Sequence, residues 1–234
     1  MDEAPLAAAR VRELRRYPVK SMGGESLATV EVDERGVVGD RWYAVEDPER
    51  RFAAGKDTVR FRRRDPVFAY AAATTDDGVV VRRGRATWMA GDPALDTELS
   101  TAMGVPITVA AETDVPHFDD GAVSLIGTAS LAWCEANLDV DADRRRIRPN
   151  VVVETSEPFV EEAWLGRLVQ VGAVELRITQ RIQRCRTVDL AQDGVAGTTP
   201  LLKALGRSRE VCLGVYAEVV TPGRIAVGDP VIPA

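Results

Sequence analysis

Gln180–Leu190, QRIQRCRTVDL, places Cys185 between Arg184 and Arg186 at the end of a stretch that reads as a β-strand. Free cysteine usually behaves as a small apolar core residue. Fixed positive charges on either side change that, because they favour the thiolate, which is both the nucleophile and the metal ligand. Cys185 is therefore either inert packing or the centre of a site, and the rest of the chain has to decide between them.

Bulk composition narrows the choice. The 234 residues are 45% apolar and 28% charged, as expected for a soluble globular protein with one large β domain or two smaller ones. No apolar run approaches the roughly 18 residues that span a bilayer. The N-terminal MDEAPLAAARVRELRRYP is acidic at its start and lacks an apolar h-region, so a cytoplasmic location is expected. Three cysteines without a C-x-x-C pair argue against a disulfide framework and a tetrathiolate site. The one histidine, His117, rules out a metal site built from several histidines, and no nucleophile elbow accompanies it. A net charge of −6 argues against general nucleic-acid binding. Only three of the 30 basic residues are lysines, which draws attention to each of them and above all to Lys20.

The predicted elements are mostly strands with glycine punctuation. Val11, Leu14 and Tyr17 mark a first strand, and Leu27, Val30 and Val32 mark a second. Asp77–Gly78 predicts a hairpin turn. Asp92 as N-cap, Pro93 at the first helical position and Gly104 as the stop predict one helix, with Leu95, Leu99 and Met103 along one face. A second helix is expected over Thr128–Leu138 with Cys134 packed in the core, and a short one around TPLLKALG; Cys212 opens an apolar strand. The polar segment from Glu112 to Gly121 is the best domain junction. The fold class is mainly β with a few short helices, divided as residues 1–115 and 116–234.

Four clusters carry residues suited to chemistry. In YPVKSMGG, Lys20 and Ser21 offer an ammonium and a hydroxyl beside two glycines that admit a ligand to the backbone; a solvated turn is the plain alternative. In GVVGDRW, Asp40 and Arg41 are either a hairpin ion pair or part of a site. In RRRIRPN, Arg144, Arg145 and Arg146 read as surface charges, whereas Arg148 and Asn150 lead into an apolar strand and could grip an anion. Cys185 with Arg184 completes the set. One thiolate with several cations and no histidine suits a polyanionic cofactor bearing a soft metal better than it suits hydrolysis.

In this order, YPVKS, G-x-x-x-DR-W, RPN-V-V, F-x-E-x-x-W, RC and G-x-I-x-V-GDPV, the motifs resemble a MOSC-domain protein with an N-terminal MOSC-type β-barrel domain. This is the arrangement of the mitochondrial amidoxime reducing components and of bacterial YcbX-type proteins. The resemblance runs from Val11 to Val231 and implies a MOSC β-barrel packed with an N-terminal barrel-like domain. It also implies a molybdenum cofactor, with Cys185 as metal ligand and catalytic centre. Lys20, Ser21, Arg41, Arg148, Asn150 and Arg184 would then bind the cofactor.

The implied activity is reduction of N-hydroxylated small molecules, using electrons from a separate donor such as a ferredoxin, flavodoxin or reductase. Neither nucleic acid nor membrane is an expected partner. A cofactor or sulfur carrier without turnover is the competing reading, and a barrel with a vestigial cysteine is a third. Where relatives carry small hydroxyl residues, this chain has Asp120 and Gly121. Thr128 and Ser130, further on, read as helix caps. Nothing marks a general acid; a water on the metal or Asp120, by position alone, are the candidates. YcbX-type chains often continue into a ferredoxin domain, and the absence of one here is the reason for expecting a separate donor.

Overall fold

The computed structural model of the chain describes residues 9–197 and 200–234. Its main element is a closed barrel of seven strands. The barrel runs in order through Val151–Glu154, Val123–Gly127, Cys212–Thr221, Val174–Gln183, Leu168–Val171, Pro230–Pro233 and Ala9–Arg16. Ala9–Arg16 then pairs with Val151–Glu154 and closes the ring. One pair, Val123–Gly127 with Val151–Glu154, is parallel. Parallel neighbours need a crossover connection, and helix Thr128–Leu138 supplies it. The mainly β fold read from the sequence is thus the one the chain adopts.

The barrel interior follows from alternation. Val169 and Val171, and Val174, Leu176 and Ile178, are fully buried, with more exposed residues between them. Val11 and Leu14 both point inward although three residues apart, because a bulge between Val11 and Glu13 restores the register. In the F-x-E-x-x-W segment, Trp164 fills the barrel core and Glu161 is fully buried, its Oε2 accepting from Ser130 Oγ at 2.9 Å.

The first half of the chain forms smaller sheets around a separate core. One sheet holds Ala71–Thr75, Gly78–Arg83 and Ala86–Met89; another holds Thr108–Ala111, Tyr43–Glu46, Phe52–Ala54 and Phe61–Arg63. Leu95 and Leu99 of helix Pro93–Met103 pack there with Val67, Phe68, Tyr70 and Val109. That helix has the ends expected for it. Asp92 accepts from Ala94 N at 2.8 Å, and Gly104 takes the left-handed conformation at φ 69°.

Three local readings change. The hairpin turn is Asp76–Asp77, one residue earlier than expected, since Thr75 pairs with Gly78. Thr128 and Ser130 do not cap their helix, whose N-cap is Gly127. They tie it sideways instead: Thr128 Oγ1 accepts from Thr155 N at 3.1 Å, and Ser130 Oγ accepts from Phe159 N at 2.7 Å. Arg146 is not a surface charge. It is 1% exposed, with its guanidinium on Asp141 Oδ2 at 2.7 Å, because the short helix Arg144–Ile147 turns it inward.

Because Leu14 is fully buried at the barrel seam, Leu14→Ala should cost about 2–5 kcal/mol, read as a lower urea midpoint with an unchanged slope.

Candidate functional site

Strand Val174–Gln183 ends just before Arg184, and Cys185 begins a single 3-10 turn over Arg186–Asp189. The two arginines beside the cysteine have separate fates. Arg186 turns outward and makes a bidentate pair with Asp65 of the first half, at 2.6 and 2.9 Å. Arg184 turns inward. Its Nε donates to Leu213 O at 2.8 Å and one terminal nitrogen donates to Ile147 O at 2.8 Å. Gly214 makes that possible, since a Cβ there would stand 3.1 Å from the Arg184 guanidinium. Cys185 is half-buried, with Sγ 3.2 Å from Thr187 Oγ1.

The side of the barrel near Cys185 opens into one cleft, and all seven sequence-derived candidates line it: Lys20, Ser21, Arg41, Arg148, Asn150, Arg184 and Cys185. Tyr17 organises the positive charge. Its ring is fully buried, with the Arg148 guanidinium 4.3 Å and the Arg41 guanidinium 5.1 Å from its centre. Arg148 also donates to Met22 O at 2.7 Å. Arg41 pairs with its neighbour Asp40, so the hairpin ion pair and the place in the cleft both hold.

Arg148 and Arg184 are different from Arg41. Among the described residues, neither has a carboxylate within 4 Å, and carbonyl oxygens take their hydrogens. Burial pulls Arg148 down to about 10, which leaves it charged at neutral pH, and moves Arg184 in the same direction. Buried charge without a counterion is costly, and an anionic ligand relieves that cost.

Three of the seven hold left-handed backbone without being glycine: Ser21 at φ 68°, Arg41 at 55° and Arg148 at 58°. Each such residue costs on the order of 1–2 kcal/mol and persists only where its surroundings fix it. Ser21 Oγ donates to Ala53 O at 2.9 Å. Asn150 is more firmly committed to the fold. Its Oδ1 accepts from Ser124 N at 3.1 Å and Ser124 Oγ at 2.9 Å, while Nδ2 reaches Arg15 O at 3.4 Å.

Lys20 is buried over the Phe61 ring, with Nζ 4.6 Å from its centre and 3.1 Å from Asp119 Oδ1. Burial, reinforced by Arg41 and Lys56 and opposed by Asp119, lowers Lys20 to about 8. For Asp119 burial acts upward, but Lys20, Lys56 and Arg41 outweigh it and hold the carboxyl well below its usual range.

Sequence reasoning missed Asp119, Lys56, Arg146 and Tyr216 as lining residues. For Lys56 a signal existed, since lysine is rare in this chain. Asp120 is exposed on the cleft wall. His117 is not among the lining residues; it is buried edge-on to Phe52, and that burial lowers it to about 4. Among the described residues no cluster of three or more His, Cys, Asp or Glu side chains could hold a metal ion unaided. A metal at Cys185 would therefore have to bring further ligands with it.

Two outcomes follow from this geometry. Sulfate keeps its charge between pH 7 and 9, whereas Lys20 loses its proton above about 8. Sulfate affinity should fall by up to about tenfold across that range by calorimetry, and Lys20→Arg should flatten the fall. For folding the sign is opposite. Lys20 lies below its ordinary 10.5, so its burial penalty is full below about 8 and fades as the pH rises further. Asn150→Ala orphans the buried Ser124 N–H and should cost about 1–3 kcal/mol, lowering the melting temperature by several degrees.

Known proteins give the site a lineage. The profile for the MOSC domain matches residues 112–232, and that for the MOSC N-terminal beta barrel domain matches residues 8–119. Mitochondrial amidoxime-reducing component 1 of Homo sapiens is 27% identical over 130 residues, covering 50% of this chain and 38% of that protein. Mitochondrial amidoxime reducing component 2 of Rattus norvegicus is 30% identical over 132 residues, with the same coverages. The match thus spans well under half of each relative's length. The crystal structure of the YUAD protein from Bacillus subtilis superposes with a TM-score of 0.52 at 13% identity, covering 96% of this chain and 94% of that one, a likeness of fold. With one family profile matching over half of its residues, this chain belongs to the MOSC domain family, a family associated with molybdenum-cofactor binding.

Proposed function

We propose that the chain binds a molybdenum-bearing pterin in this cleft and reduces N-hydroxylated compounds, with electrons delivered by a separate ferredoxin, flavodoxin or reductase. The observation that carries the reading is the meeting of Cys185 with half-buried Arg148 and Arg184, two cations that among the described residues have no carboxylate partner, in one cleft. That donor set fits the group. Fixed guanidiniums and an ammonium suit a phosphate, and a single thiolate suits a soft metal that carries its remaining ligands with it.

When bound, the cofactor supplies two-electron redox chemistry at its metal, and the protein supplies binding, orientation and electrostatics. Arg148 and Arg184 neutralise the anionic end of the pterin without having to reorganise, because backbone oxygens already hold them. Arg41 and Lys20 extend the positive lining, with Asp119 limiting its net charge. Ser21 keeps oxygen lone pairs for a ligand while its hydrogen is used on Ala53 O, and Asn150 keeps one amide hydrogen. Cys185 contributes the thiolate. The names of the amidoxime-reducing relatives support the reaction class.

The test is molybdenum and pterin content of wild type and Cys185→Ala from a molybdenum-replete host, followed by reduction of benzamidoxime with reduced viologen. Near-stoichiometric metal and pterin in the wild type, with metal lost but pterin kept in the variant and turnover at background, is expected. A loaded wild type that turns nothing over would favour a carrier. Absence of both metal and pterin would contradict the reading.

A further inference from the structure

A second groove shares a wall with the cleft. It is lined by Asp120, Gln180, Arg181, Gln183, Cys212 and Tyr216. Asp120, Gln183 and Tyr216 line the cleft as well, so Tyr216 stands where the two meet. Strand pairing fixes its position, with Ser124 opposite on one side and Gln180 on the other.

The ring is also pinned by what is missing around it. A Cβ at Gly121 would lie 2.6 Å from the Tyr216 ring, so glycine is what lets the ring sit there. Two residues before it, Gly214 leaves space for Arg184. Gly121 falls in the segment where the family resemblance calls for small hydroxyl residues. Here the Cβ and ring edge of Tyr216 pack on that glycine from a barrel strand.

The Tyr216 hydroxyl has no hydrogen-bond partner among the described residues, although the bonded groups of the cleft are otherwise heavily engaged. Charged groups of both signs face it: Asp119 and Asp120, and Arg41 and Arg184. Burial, reinforced by Asp119, pushes the phenol up to about 12, so it keeps its proton at every ordinary assay pH. A protonated, unpartnered donor on the wall between an outer groove and a redox cleft is placed to read an oxygen atom.

We propose that Tyr216 is the substrate-orienting residue of this site, donating a hydrogen bond to the oxygen of the substrate's N–O group as the substrate enters from the groove. This rests on the reductase reading above. In that reaction the N–O bond breaks, two electrons come from the separate electron-transfer protein by way of the cofactor, and two solvent protons complete the amidine and water. Charge builds on the departing oxygen, where a preorganised donor has most effect. Tyr216 gives a hydrogen bond and not a proton, so it is unchanged by turnover.

Benzamidoxime and benzamidine differ by that oxygen alone, which makes them the probes. Calorimetry on the 234-residue chain, with pterin measured in the same sample, should show wild type binding benzamidoxime the more tightly. Tyr216→Phe keeps the ring on Gly121 and removes only the hydroxyl. It should weaken benzamidoxime about three- to tenfold and leave benzamidine unchanged, so that the preference collapses. Equal losses for both probes, an unaltered preference, or no binding of either probe to loaded wild type would overturn the role. So would loss of pterin in Tyr216→Phe, since the hydroxyl would then be holding cofactor. Pterin-free wild type would instead contradict the reductase reading itself, and this role with it.

Discussion

Closure of the barrel by Ala9–Arg16 against Val151–Glu154 is the constraint on which the site depends. Arg15 N donates to Asn150 O at 2.8 Å, so the chain leaves the first strand beside the residues that enter the second. Tyr17 follows on one side and Arg148 on the other, and their side chains meet at once. Arg41 joins them because its N–H donates to Tyr17 O at 2.7 Å. Residues 20, 41 and 148 are therefore brought together by one strand pairing, and Cys185 meets them from the end of Val174–Gln183. These cations need no loop closure to come together.

The electrostatics are local and run against the whole. The chain carries a net charge of −6, yet this opening concentrates Lys20, Arg41, Lys56, Arg146, Arg148 and Arg184. Asp40, Asp119 and Asp141 form ion pairs with four of them, Asp119 serving both Lys20 and Lys56. Arg148 and Arg184 are left to carbonyl dipoles and an aromatic face. A protein that held these cations for stability alone would have paired them, since an apolar substitute or a carboxylate partner is less costly. Their arrangement makes physical sense as preorganisation for an anion, and the left-handed backbone at Ser21, Arg41 and Arg148 is further cost borne at the same place.

How much of this was legible in the sequence depended on how local the cause was. The helix ends at Asp92 and Gly104 were readable because capping is decided within a few residues. The seven candidate positions were readable as motifs in a familiar order, although nothing in their spacing says that they converge. Arg146 was misread because a run of three arginines looks solvated, and only the turn of a four-residue helix sends one of them inward. Thr128 and Ser130 look like caps in one dimension; their partners, Thr155 and Phe159, are more than 25 residues away. Tyr216 and Asp119 gave no local signal at all, since strand pairing places Tyr216 and Asp119 sits in an irregular segment whose contact with Lys20 is 99 residues away in sequence.

Membership of the MOSC family and the charge pattern of the cleft support the occupant proposed above, and the central claim of that proposal is that the Cys185 thiolate is a ligand of the metal. X-ray absorption at the molybdenum edge tests this most directly, comparing loaded wild type with Cys185→Ser at matched metal content. The account predicts that the variant loses one sulfur neighbour and gains a lighter one. An unchanged sulfur shell would contradict it and return Cys185 to the role of packing.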